Sequence, residues 1–340
     1  MSITNIQTSV EYIALAKPFI TALRRVESVE FVRVVIESSQ GNGIGEAPAT
    51  KAITGEDLET ILGSIESIKM SLIGRSVKEA VEILHNSSIG SSAKAALDIA
   101  LFSLGLQERG VDAFEYFGIT DFSPIKSDVT ISLNPIEQMC TDAQEAIEKG
   151  MDILKVKLGE DIAHAIETTR TFLESFENLT LLIDANQAWS REDAKRYVQA
   201  FDDRRIALVE QPVIAQDLVG LKDIKEHSTI PILADESAFS LNDVKQIVQT
   251  QSADMINIKL MKCGGITKAI EILEYAREQG IVCMLGSMLE GPYSINTAIY
   301  LAFAYRDVIH FVDLDSPLLY KEKARELEFN FEGATISYSS

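Results

Sequence analysis

Two lysines, Lys155 and Lys157, interrupt the apolar run Ile153-Leu-Lys-Val-Lys-Leu158. Side chains along a strand alternate between faces, so both ammonium groups point the same way. Two like charges on one buried face are costly unless counter-charges meet them. Acids that could do so follow at regular intervals. Asp184 stands in D-A-N, Glu210 in E-Q-P and Asp235 in A-D-E-S, each closing an apolar, strand-like run. A further lysine, Lys259, stands in N-I-K-L-M-K, and Asp313 and Asp315 form the pair D-L-D. Three convergent carboxylates do not all stay ionised without a cation. Ligands that are all oxygen select a hard divalent ion, and Mg²⁺ is the first expectation. Each acid alone reads as plainly as a helix cap. Three of them ending consecutive strands favour the ligand reading. His85, His164, His227 and His310 fall in no metal-binding spacing and read as structural or surface residues.

The lysines suggest the reaction type. Like-charge repulsion from Lys155 and a cation lowers the proton affinity of nearby ammonium groups, and a lysine tuned toward neutrality serves as a general base. A substrate carboxylate held by the cation would place its α-carbon between Lys157 and Lys259. One lysine removes the α-proton, and the other delivers a proton to the opposite face. Lys155 and the cation stabilise the enediolate between the two steps. The outcome is inversion at the α-carbon, a 1,1-proton transfer. Asp313 and Asp315 could hold a positive group at the far end of the substrate. A helix cap or solvated turn is the plainer reading of that pair.

Such a site needs a scaffold that brings strand ends together, and the chain repeats accordingly. From Ser127 onward, short apolar strands alternate with amphipathic helices. Landmarks near the strand ends are Thr130, Lys157, Asp184, Glu210, Asp235, Lys259, Leu285 and Asp313, spaced 24 to 28 residues apart. That repeat is the signature of a (β/α) barrel, whose catalytic groups gather at the C-terminal ends of the strands. Strands two and six then face each other across the mouth, as do strands four and eight. No eighth helix fits after Asp313, and Leu327–Tyr338 reads as short strands. Ahead of the barrel, Ile3–Val10 and Val29–Ile36 read as antiparallel strands, and Gly41-Asn-Gly-Ile-Gly45 reads as a hairpin turn into a third. Helices follow over Leu58–Ile68, started by Thr54 or Asp57, and over Ser92–Glu108, whose small residues predict tight packing. Lys17–Arg25 and Ala47–Gly55 are candidate lids.

Composition narrows the partners. The chain of 340 residues carries a net charge of −20, which disfavours nucleic acid and anionic membrane as partners. Cys140, Cys263 and Cys283 are scattered and suggest a reducing compartment without a disulfide framework. Glu11 breaks any early apolar run, and no run approaches the length of a membrane span, so a cytoplasmic location is expected.

The motifs K-V-K, D-A-N, E-Q-P, A-D-E-S, N-I-K-L-M-K-C-G-G and, at Ser287, G-S-M together resemble the enolase superfamily. The resemblance lies with its muconate-lactonizing-enzyme subgroup, and within that with the dipeptide epimerases. It covers nearly the whole chain. It implies a (β/α)7β modified TIM barrel over residues 123–317. An α+β N-terminal capping domain, residues 1–122, would be completed by the C-terminal tail, 318–340. It implies Mg²⁺ on Asp184, Glu210 and Asp235, and Lys157 and Lys259 as the catalytic bases. Lys155, Thr130, Asp313, Asp315 and Ser287 would lie in the substrate site. The D-L-D pair would bind the α-ammonium of an unblocked dipeptide. K-P-F-x-T-A-L-R looks like the lid of L-Ala-D/L-Glu epimerases, in which Arg24 would pair with the Glu side chain. The expected role is epimerisation of L-Ala-L-Xaa dipeptides in peptidoglycan peptide recycling. The expected partners are a small dipeptide and further copies of the chain in a homo-oligomer. Strand seven lacks the histidine of the mandelate-racemase branch, and Glu290-Gly-Pro-Tyr-Ser matches no specificity class. An o-succinylbenzoate synthase or cycloisomerase type of lyase is the first alternative, but it has no use for an acidic pair opposite the metal. An N-acylamino acid racemase has no charged amine to pair. A non-catalytic barrel would have little use for buried, mutually strained charges.

Overall fold

A computed structural model describes residues 2–21 and 25–338. Eight parallel strands form the barrel wall: Val129–Ile131, Ile153–Lys157, Thr180–Asp184, Ile206–Glu210, Ile232–Ala234, Met255–Lys259, Val282–Gly286 and Ile309–Asp313. These are barrel strands 1 to 8, hydrogen-bonded in that order. Asp128 N donates to Val312 O at 3.1 Å, joining strand 1 to strand 8.

Register sets the level of the site. Lys157 pairs with Asp184 and Asp184 with Glu210, while Lys259 pairs with Gly286 and Gly286 with Asp313. Two residues earlier on four strands stand Leu182, Leu208, Leu233 and Met284, which form a buried apolar cluster. Period-two alternation puts each plug residue on the same face as the acid or glycine two positions on. The polar residues therefore stand inward, on a dry floor, at the C-terminal end of the barrel. Gly286 leaves room there, because a Cβ would lie 2.7 Å from Asn257 Oδ1 and 3.0 Å from Lys259 Cε.

The first three strands, Ile3–Ile20, Arg25–Ser38 and Gly41–Pro48, form an antiparallel sheet. The G-N-G-I-G stretch is not the turn expected of it. Ser38 pairs with Gly41, so the turn is Ser39-Gln40 and the glycines lie within the third strand. They are needed for close approach. A Cβ on Gly43 or Gly45 would fall about 2 Å from Ala100 O or Ala96 O of the helix Ser91–Arg109. The helix Leu58–Leu72 begins at Asp57, whose side chain accepts from Thr60 N.

Two carboxylates from the N-terminal unit sit on the N-termini of barrel helices, where the backbone N–H groups lack partners. Glu46, held by Arg33, accepts from Tyr293 N (2.9 Å) in the helix Pro292–Ala304. Asp98 accepts from Thr267 N (2.8 Å) in the helix Ile266–Gln279. Among the described residues after strand 8, the one helix is the short Ser316–Leu319. The tail hairpin, Phe329–Glu332 and Thr335–Tyr338, pairs with Ile125–Lys126 rather than with the first sheet. The tail still reaches the first unit, through a bridge between Leu15 and Tyr320 and through Lys321 N donating to Ala14 O (2.8 Å).

Candidate active site

Lys155, Lys157 and Lys259 are all buried, Lys157 and Lys259 at the level the register defines and Lys155 two residues earlier, paired with Leu182 of the floor. Lys155 Nζ lies 2.6 Å from Asp313, 2.7 Å from Glu210 Oε2 and 3.4 Å from Asp184. Lys157 Nζ lies 2.5 Å from Asp184, and Lys259 Nζ 2.9 Å from Asp235. Asp313 is therefore only one ammonium away from Glu210, nearer than strands on opposite sides of the mouth imply.

The neighbouring acids dominate the charge balance on Lys155 and Lys259. Burial opposes the charge on Lys155, but Asp313, Glu210 and Asp184 outweigh it and hold its pKa well above the ordinary value. Lys259 is raised too: burial works against it, and Asp235 prevails. Repulsion between the lysines is real but smaller than attraction to the acids. Asp235 is depressed in turn, because Lys259, Lys262 and Lys155 overcome its burial. Glu210 goes the other way, pushed up to about 7 by burial and then by Asp184.

Around the ends of strands 3 to 5 stand buried oxygens without hydrogen-bond donors, one of them on Glu210, while both oxygens of Asp184 and of Asp235 have donors. Glu210 Oε2, Asn186 Oδ1 and both carboxylate oxygens of Glu236 are buried and unpartnered. Glu210 Oε2 is near Lys155 yet receives no aligned hydrogen bond. An all-oxygen donor set with orphaned lone pairs fits a hard divalent ion. Asp184 and Glu210 share one ammonium, while Asp235 on the next strand meets Lys259 and Lys262.

Several orienting groups carried no role in the sequence reading. Asn257 Nδ2 donates to Glu210 Oε1 at 2.9 Å. Lys262, fully buried, donates to Asp235 Oδ1, Asp235 O and Asn257 O. Gln211 Oε1 accepts from Asp235 N (3.0 Å) and Ser237 N (3.1 Å), which locks the end of strand 4 to that of strand 5. Asn186, Gln187 and Gln211 all have positive φ, at 45°, 69° and 36°. Such non-glycine strain persists where its surroundings enforce it, commonly at functional sites.

One cavity gathers Lys157 from strand 2 and Lys259 from strand 6, with Asn186, Asp235, Ser287, Thr130, Asp313 and Asp315. Phe19, Thr21 and Ile53 from the two expected lid segments close it. The lid strand is latched to the barrel: Leu133 N donates to Ile20 O (3.0 Å), and Ile20 N to Ser132 Oγ (3.0 Å). Thr130 N donates to Asp315 (2.7 Å), and Ser287 N to Asp313 O (2.9 Å). Arg24 lies outside the described residues. Among the described residues, the three carboxylates whose oxygens fall within 4.8 Å of one another are Asp313, Asp315 and the unanticipated Asp128.

Residues 138–339 match the family model described as enolase C-terminal domain-like. The L-amino acid-D/L-Glu epimerase of Sulfurimonas denitrificans is 56% identical over 338 residues, 99% of either chain. The chain belongs to the dipeptide epimerases of the enolase superfamily. Members of this family are isomerases. Among solved dipeptide epimerases, the substrate-liganded L-Ala-D/L-Glu epimerase of Bacillus subtilis superposes with a TM-score of 0.93 at 36% identity, covering 100% of this chain and 97% of that one. The Enterococcus faecalis dipeptide epimerase, solved with Mg and L-Leu-L-Tyr, gives 0.92 at 33%, covering 100% and 98%. The barrel and antiparallel cap described above are thus the dipeptide epimerase architecture.

Proposed function

We propose that this chain is an Mg²⁺-dependent epimerase of L-Ala-L-Xaa dipeptides, with L-Ala-D/L-Glu as the favoured pair, inverting the α-carbon of the C-terminal residue. The observation that carries this reading is that Lys157 and Lys259, from facing strands, line one cavity whose wall includes Asp313 and Asp315. Residues 123–317 would form the barrel, and residues 1–122 with 318–340 the cap that closes it.

In this reading Asp184, Glu210 and Asp235 hold the ion. When bound, Mg²⁺ would neutralise the charge that builds on the substrate carboxylate as the α-proton leaves. Lys157 and Lys259 stand on opposite faces of the α-carbon, one taking its proton and the other returning one. Lys155 adds a fixed positive charge beside the carboxylate. Asp313 and Asp315 hold the α-ammonium, which fixes the dipeptide end to end. That wall separates this reading from a lyase or an N-acylamino acid racemase, whose substrates bring no ammonium to it. The lid residues Phe19, Thr21 and Ile53 exclude water from the exchanging proton.

The test is proton NMR in D₂O with Mg²⁺ and L-Ala-L-Glu. Loss of the Glu α-proton signal together with formation of L-Ala-D-Glu is expected. New alkene signals, or no exchange with any unblocked dipeptide, would overturn the reading.

A further inference from the structure

Asp128 lies just before barrel strand 1 and against strand 8. It is fully buried, and Asp313 and Asp315 beside it are each 5% exposed. Two of the three acids have counterparts: Asp315 Oδ2 accepts from Thr130 N, and Asp313 Oδ2 meets Lys155. Neither oxygen of Asp128 has a donor. The charged groups facing it are Asp313 and Asp315 from the end of strand 8, and Lys155 from strand 2. Lys155 is already divided between Asp313, Glu210 and Asp184. One shared ammonium does not neutralise three carboxylates packed this tightly, so one of them carries a proton. An O–H on Asp128 directed at Asp313 gives the orphaned carboxyl its missing hydrogen bond and removes one negative charge. The direction of its titration agrees: burial, then Asp313 and Asp315, raise Asp128 well above the ordinary carboxylate range.

We propose that Asp128, Asp313 and Asp315 share a single proton resident on Asp128, and that a free α-ammonium entering against Asp313 and Asp315 expels it to solvent. The proposal rests on the dipeptide reading above. The ammonium brings the positive charge that the third carboxylate lacks, so the ionised form of Asp128 becomes favoured. The O–H bond of Asp128 breaks, the proton passes to buffer, and no bond of the dipeptide changes. Asp128 acts through Asp313 and is a positioning residue. Because protons leave on binding, affinity rises with pH, by up to about tenfold per unit for one proton released. The rise ends near pH ~8, where the dipeptide amine itself begins to deprotonate.

The probe is L-Ala-Gly, which keeps the ammonium but has no centre to invert. It is titrated calorimetrically into the Mg²⁺-loaded full chain near pH ~6.5, in buffers of different ionisation enthalpy. The wild type is expected to release roughly half to one proton per ligand bound, and Asp128→Asn none. Heats independent of buffer in the wild type overturn the proposal, as does release that survives in Asp128→Asn. Should that variant not fold, wild-type affinity between about pH 6 and pH 7 decides: a rise of roughly threefold to tenfold supports the proposal, and a flat profile overturns it. Binding without proton release defeats this proposal alone. Failure of L-Ala-Gly to bind at any pH defeats the dipeptide reading and this proposal together.

Discussion

Lys155 on barrel strand 2 places its ammonium 2.6 Å from the Asp313 carboxylate at the end of strand 8, spanning the strand between them. The same nitrogen is 2.7 Å from Glu210. One buried lysine therefore ties the wall proposed for the substrate amine to the wall proposed for the cation. An incoming ammonium would share the Asp313 carboxylate with Lys155. Asp313→Asn removes the charge that both cations seek. Losing one partner of a desolvated charge pair costs about 2–5 kcal/mol, so KM for L-Ala-L-Glu should rise about thirtyfold or more, with kcat moving less. Steady-state polarimetry reads both constants, and an unchanged KM would remove Asp313 from the amine site.

The two-base assignment makes an asymmetric prediction. Lys157→Ala and Lys259→Ala should each abolish inversion while leaving, at most, α-proton exchange from a single stereoisomer. Only one face then retains a base. Proton NMR in D₂O with L-Ala-L-Glu and, separately, L-Ala-D-Glu distinguishes the faces. Normal inversion by either variant would exclude this mechanism.

Asn257 tests the cation wall without replacing a proposed ligand. Its Nδ2 fixes the Glu210 carboxylate from the next strand but one, at 2.9 Å. Partners that orient a ligand from behind are typically worth 10–100-fold in metal affinity or activity. Asn257→Leu should accordingly weaken Mg²⁺ binding by about tenfold or more, read by calorimetric titration of the ion. Equal affinity in the two proteins would reduce Asn257 to a packing role.

How much of this was legible in the sequence depended on distance along the chain. The eight barrel strands stood out because each carries an apolar run with a repeating spacing. The inward direction of Asp184, Glu210 and Asp235 follows from the leucines two residues earlier, a purely local alternation. Asp128 left no such trace. It precedes a three-residue strand, and its company, Asp313 and Asp315, arrives only when strand 8 closes onto strand 1. Gln211, Asn257 and Lys262 stood in plain view inside E-Q-P and N-I-K-L-M-K, but linear spacing does not say which neighbouring strand end each one reaches. The glycines of G-N-G-I-G were misplaced for a related reason. A turn and a close helix contact both demand glycine, and only the packed helix Ser91–Arg109 tells them apart. The balance of charge on Lys155 and Lys259 needed the third dimension as well, since the acids that raise them lie on four different strands.

Glu290, in the stretch that matched no specificity class, links the site loop to stability. Its side chain accepts from Met288 N (2.8 Å) and from Ser294 Oγ, and Tyr320 O–H donates to its carbonyl. Met288 lines the cavity, so this carboxyl holds the loop after strand 7 in place. Burial pushes Glu290 up to about 7, against the partial relief of Ser294, Met288 and Lys259. A carboxyl whose folded pKa lies above its unfolded value of 4.5 binds its proton more tightly when folded. The unfolded chain then holds fewer protons between about pH 4.5 and 7, and stability falls as pH rises through that window. At ~1.4 kcal/mol per pKa unit, the loss approaches about 3 kcal/mol. Glu290→Gln keeps the shape and cannot ionise, so its loss of stability between about pH 5 and pH 7.5 should be smaller than that of the wild type by roughly that amount. Urea unfolding of both proteins at the two pH values measures the difference. Parallel pH profiles would show that Glu290 does not carry this proton.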